Sequence, residues 1–136
     1  TFRLPENFLT WHPTCHYCAD NRMELAEKFL EENADEEYLS PSLFYVWGHA
    51  YQLDAYHDWE ELESFFKKLG NKEDIWYASN IEIYQYILAV RSLVYSSTGD
   101  YIFNPTCTDV WLMIDGRPYQ IPSGKTVSIP WKHTND

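Results

Sequence analysis

A chain of 136 residues suffices for one domain, in which folding removes about two-thirds of the unfolded surface. An aromatic content of 18% excludes a disordered chain, because such chains are poor in aromatic residues. Ten Lys plus Arg against 21 Asp plus Glu leave a formal charge of −11, and no basic run is present to hold a phosphate backbone, which excludes nucleic acid as a partner.

The same reading leaves the membrane out as a partner, since no stretch approaches the roughly 20 apolar residues of a spanning helix. Cys15, Cys18 and Cys107 are odd in number and cannot form a disulfide scaffold.

In chain order, residues 21–32 place Met23, Ala26, Phe29 and Leu30 on one helical face, with Glu24, Glu27, Lys28 and Glu31 mostly outside it. A polar loop follows over 33–42, and the acidic run 31–37 reads as a solvated segment. Leu43-Phe44-Tyr45-Val46-Trp47 is apolar at every position, which predicts a strand covered on both faces, as in a parallel sheet. Trp47 is accordingly expected in the core.

Asp58 reads as a helix N-cap with Glu61 completing a capping box. Trp59, Leu62, Phe65, Phe66 and Leu69 then form the apolar stripe that is expected to be core, and Gly70 ends the helix. Ile75-Trp76-Tyr77-Ala78 reads as a second buried strand. Ser79 and Glu82 predict another capping box, opening a helix through Ile83, Ile87, Val90 and Arg91. Strand, helix, strand, helix is the pattern of βα units around a parallel sheet.

From Leu93 the pattern changes to short strands at 93–96, 101–103, 110–114, 119–121 and 126–129, separated by turn residues such as Asn104-Pro105 and Asp115-Gly116. The expected organisation is therefore an α/β portion over 1–92 and a small antiparallel β appendage over 93–136. Two or three βα units are too few to close a barrel, so 1–92 is expected to end a larger α/β fold. Its open sheet edge should then be covered by a preceding segment of its own chain or by self-association.

Three segments, Phe8-Leu9-Thr10-Trp11-His12-Pro13-Thr14-Cys15-His16, Leu43–Tyr51 and Asp74–Glu82, in this order, resemble the carboxyl-terminal part of polysaccharide deacetylases. The likeness extends into the β-rich tail through Asn104-Pro105-Thr106 and Asp109-Val110-Trp111. It implies the terminal βα units of a distorted (β/α) barrel in a metal-dependent hydrolase that deacetylates N-acetylated saccharides. It also implies an Asp base and an Asp-His-His site for zinc or a similar divalent metal. No Thr-Phe-Asp-Asp-Gly sequence occurs in this chain, and its one His-x-x-x-His spacing, His12 to His16, lies in the segment that the resemblance places in a loop at the barrel mouth. The metal and base are therefore expected outside this chain, and the chain alone is expected to bind no metal and to be inactive.

The resemblance places the late catalytic His at His49, after the apolar strand. Imidazole is suited to protonating a departing amine, because it titrates near neutral pH. Asp54 is a candidate to orient the ring. Trp11, His12 and His16 are expected near the substrate, and Trp11, Trp47, Tyr51 and Tyr56 are candidates for stacking on a pyranose face, although the all-apolar strand favours the core for Trp47.

Two other readings of the same residues stand beside this one. The aromatic residues and the β-rich tail also suit a non-catalytic carbohydrate-binding module. His12, Cys15, His16 and Cys18 are good zinc ligands and suit a small interaction domain, although the second Cys-x-x-Cys of a zinc ribbon is absent.

Overall fold

A computed structural model describes residues 2–33 and 41–130, without the side chains of Asn33 and Tyr56. Most of the polar loop 33–42 and of the acidic run 31–37 lies outside the described residues. The chain is mixed α/β and divides into two compact units, residues 1–76 and 77–136. No helix of the described residues is long and apolar enough to cross a membrane.

The first unit opens with a 3-10 turn at Phe8–Thr10, where the Asn7 side chain accepts from the Leu9 amide. Strand β1 (Cys15–His16) follows, then helix α1 (Arg22–Asn33), strand β2 (Val46–Trp47), helix α2 (Ala50–Tyr56) and helix α3 (Trp59–Leu69). β1 and β2 run parallel, with Cys15 opposite Val46 and His16 opposite Trp47. The expected strand 43–47 is thus paired only at its end. Upstream, Tyr45 is still tied to Thr14, whose amide donates to the Tyr45 carbonyl and whose hydroxyl accepts from the Tyr45 amide.

The core of this unit is aromatic. Phe29 and Phe65 are buried, and Phe44 joins them with ring centroids at 5.2 and 6.2 Å, while Phe2 stacks on Phe44 at 5.8 Å. Ala26 and Phe29 deliver the α1 stripe to this core, as their spacing requires, and Cys15 and Leu69 complete it. Each buried ring contributes on the order of 2–3 kcal/mol.

Several expectations change here. Among the described residues there is a two-stranded parallel sheet and no barrel. Ile75–Ala78 has no strand pairing, and Trp76 and Tyr77 are exposed: an apolar run becomes a strand only where another strand meets it. Asp58 does cap α3 by position, yet its side chain makes no capping bond. Asp58 and Glu61 both turn to Arg22, because a buried guanidinium needs carboxylates more than a helix end does. Phe66 and Trp59, expected in the core, are half exposed, while Phe65 is fully buried.

The second unit contains helix α4 (Asn80–Arg91) and strands β3 (Val94–Tyr95), β4 (Tyr101–Phe103), β5 (Val110–Ile114), β6 (Arg117–Ile121) and β7 (Thr126–Ser128). At the start of α4, Glu82 accepts from the Ser79 amide and hydroxyl, which supplies the Glu82 half of the expected capping box. Strands β3, β4 and β7 form one antiparallel sheet, and β5 and β6 form a hairpin. Its turn is Asp115-Gly116, both with positive φ (49° and 70°), the conformation that a tight hairpin demands and glycine adopts freely.

Ala89, Leu93, Ile102, Val110, Ile121 and Ile129 make the core of this unit. Asn104 is fully buried beside them and completely bonded. Its amide nitrogen donates to the Thr108 and Ile121 carbonyls, and its amide oxygen accepts from the Thr106 amide and hydroxyl.

Candidate functional site

The carboxyl ends of β1 and β2 bring together residues that are far apart in sequence. His16 ends β1 and lies edge-on to Trp47, ring centroids 4.9 Å apart, and it stacks on Tyr17 at 4.7 Å. His49 follows β2 by two residues. Its ring stacks on Tyr51 at 5.4 Å, with an interplanar angle of 19°, and meets Trp47 edge-on at 5.6 Å. His49 is exposed, as are Trp47 (44%) and Tyr51 (70%). Trp47 therefore belongs to the surface of this cluster instead of the core: a two-stranded sheet leaves one side of β2 uncovered.

The main chain at His49 is held at three points. Its carbonyl accepts from the Tyr17 hydroxyl at 2.5 Å and from the Gln52 amide at 2.9 Å. Its amide donates to Gln52 Oε1 at 3.3 Å. The Tyr17 ring lies directly against Gly48, so that a Cβ at residue 48 would overlap the ring carbons. Burial pushes the Tyr17 phenol up to about 12, so it is a hydrogen-bond donor through the neutral range.

His16 is bonded at both ring nitrogens. Nδ1 accepts from the Cys18 amide at 3.1 Å, and Nε2 faces Gln52 Oε1 at 3.1 Å. The Gln52 oxygen is identified by the His49 amide that also donates to it, so the pattern assigns the proton of His16 to Nε2. His16 is thereby a strut between the end of β1 and α2.

The other expected site residues are placed as follows. Trp11 packs edge-on to Phe8 and 5.4 Å from Tyr45, and its indole nitrogen is buried without an acceptor among the described residues. His12 is exposed in the loop before β1, with no bond or ring contact to His16 or His49 among the described residues. Asp54 does not orient His49; its carboxylate accepts from the Trp59 indole at 2.9 Å, because α2 carries it toward α3.

Tyr17 and Gln52 are the participants that sequence reasoning missed. Tyr17 works through a backbone carbonyl, which leaves no signature in the chain. Gln52 had one, as the third residue of a helix opening at His49.

The divalent metal, zinc or similar, that the resemblance implies is expected outside this chain, and the alternative zinc site at His12, Cys15, His16 and Cys18 does not fit a metal. Among the described residues no group of three or more His, Cys, Asp and Glu is arranged to hold an ion. Cys15 is buried in the aromatic core, and both nitrogens of His16 are already bonded. Comparison with known proteins finds no matching family model, no matching curated protein and no matching solved structure.

Proposed function

We propose that the chain is part of a hydrolase that deacetylates N-acetylated saccharides, with His49 as the proton donor to the departing amine. The observation that carries this reading is the placement of His49. Its main chain is tied down at the carboxyl end of a parallel strand pair, where α/β enzymes place their chemistry, and its ring is exposed between Trp47 and Tyr51. Aromatic faces beside an imidazole suit a sugar, because pyranose rings present C–H groups to π surfaces.

In the reaction water adds to the acetyl carbon, the amide C–N bond breaks to leave acetate, and the leaving nitrogen must gain a proton to depart as an amine. An imidazolium at residue 49 supplies it and is left neutral. Tyr51 and Trp47 hold the sugar face against the ring. The divalent metal that the family resemblance implies would polarise the acetyl carbonyl when bound. Its ligands and the Asp base belong, on this reading, to chain outside these residues, as do the strands that would extend β1 and β2 into a distorted (β/α) barrel.

The test is a titration of the chain with N-acetylated chito-oligosaccharides, followed by NMR. The His49, Trp47 and Tyr51 ring signals should move together, without acetate release by this chain alone. Movement confined to Trp111 and Tyr101, both exposed in the second unit, would overturn the reading in favour of a non-catalytic binding module.

A further inference from the structure

We propose that Tyr17 is the positioning residue of His49, an inference that rests on the reading of His49 as proton donor. A general acid in the link between a two-residue strand and a seven-residue helix has little regular structure to hold it. Its direction is set by the peptide units on either side of its Cα: Gln52 bonds to both, and Tyr17 adds a second bond to the one that follows.

The peptide before His49 contributes the amide that donates to Gln52 Oε1. The peptide after it contributes the carbonyl that accepts from the Tyr17 hydroxyl, 32 residues away in the chain. Tyr17 is buried, its own amide donates to the Trp47 carbonyl at 3.0 Å, and its ring fills the space beside Gly48. Tyr17 thus touches three consecutive residues of the segment that leads to the imidazole, Trp47 through its amide, Gly48 through its ring and His49 through its hydroxyl. Gln52 is itself braced, since its oxygen also accepts from His16 Nε2, and His16 is anchored by the Cys18 amide. Tyr17 and Gln52 bond to the main chain of His49, and His49 stays exposed.

A residue with this role changes where the ring sits without touching substrate. Its removal should therefore show first in the ring environment of His49. The measurement is made on the 136-residue chain, with His49 ring signals assigned by their disappearance in His49→Gln. In the unaltered chain these signals carry ring-current shifts from Tyr51 and Trp47. In Tyr17→Phe, which keeps the ring and loses the hydroxyl, they should collapse toward free-imidazole values, while Ala26 and Phe29 signals stay in place.

Gly48→Ala should produce the same collapse with the hydroxyl still present, because the added methyl displaces the Tyr17 ring. If Tyr17→Phe also moves the core signals, Gln52→Met reports on the other peptide and is expected to loosen the ring in the same way. His49 signals unmoved in Tyr17→Phe overturn the positioning role. Saccharide that leaves His49 unmoved in the unaltered chain overturns the proton-donor reading instead, so the two failures come from separate experiments.

Discussion

The guanidinium of Arg22 lies 3.2 Å from the carboxylate of Asp58, and their side chains are only 9% and 13% exposed. This pair ties the start of α1 to the start of α3. Glu61 reaches the same guanidinium from the surface, with 73% of its side chain exposed.

The two carboxylates should therefore differ in worth. Asp58→Ala leaves a buried charge short of its buried partner and should destabilise the first unit by on the order of 3 kcal/mol. Glu61→Ala removes a solvent-screened partner and should cost less than about 1 kcal/mol. Urea denaturation of the two variants checks this, and equal losses would show that exposure does not govern the cluster.

Tyr17 predicts an alkaline loss of stability. Its phenol ionises near 10 in the unfolded chain and is pushed up to about 12 in the folded one. Below pH 10 both states keep the proton, and the folded state has its full advantage. Between pH 10 and about 12 the unfolded chain releases the proton first, so stability falls as pH rises. Comparing the pH dependence of the urea midpoint in the unaltered chain and in Tyr17→Phe isolates this contribution. The variant should lack the extra alkaline decline.

The cysteines should react in a set order. Cys107 is exposed, whereas Cys15 is buried and Cys18 partly so, and burial pushes both of their thiols up. Since the thiolate is the reacting form, iodoacetamide at mildly alkaline pH should label Cys107 first. Mass mapping at short times would show otherwise if Cys15 were accessible.

In the second unit, Asn104 satisfies the carbonyls of Thr108, in the turn before β5, and Ile121, at the end of β6, and takes two donors from Thr106. Buried groups left without partners cost about 1–3 kcal/mol each. Asn104→Ala should destabilise this unit by at least ~2 kcal/mol, and faster amide exchange at Thr106 should accompany it. Unchanged exchange would mean that the turns hold themselves.

Which of these features could be read from the chain depended on whether their cause was local. The helices α1, α3 and α4 were legible from apolar spacing, and the hairpin β5–β6 from Asp115-Gly116, because periodicity and turn chemistry act within a few residues. Strand β1 was not legible: Cys15 and His16 become a strand only because β2 lies beside them. Helix α2 was missed because Leu53 is its single buried apolar residue among those described, too little for a stripe. Ile75–Ala78 misled in the opposite direction, offering β-forming residues with no partner strand. His49 was conspicuous after an apolar run, whereas its supports at Tyr17 and Gln52 depend on a meeting of β1 and α2 that no spacing announces.

Tyr17 and Gly48 share one volume, and that has a consequence for how this protein can change. A side chain at residue 48 has no room while the tyrosine ring is present, and a smaller residue at 17 would open a hole that glycine cannot fill. What fits at residue 48 thus depends on what stands at residue 17. A lineage moving away from this arrangement must pass through a gap or a clash, and a gap is the milder of the two when neighbours can settle into it. The order of replacement is then constrained: residue 17 shrinks first, and residue 48 grows afterwards.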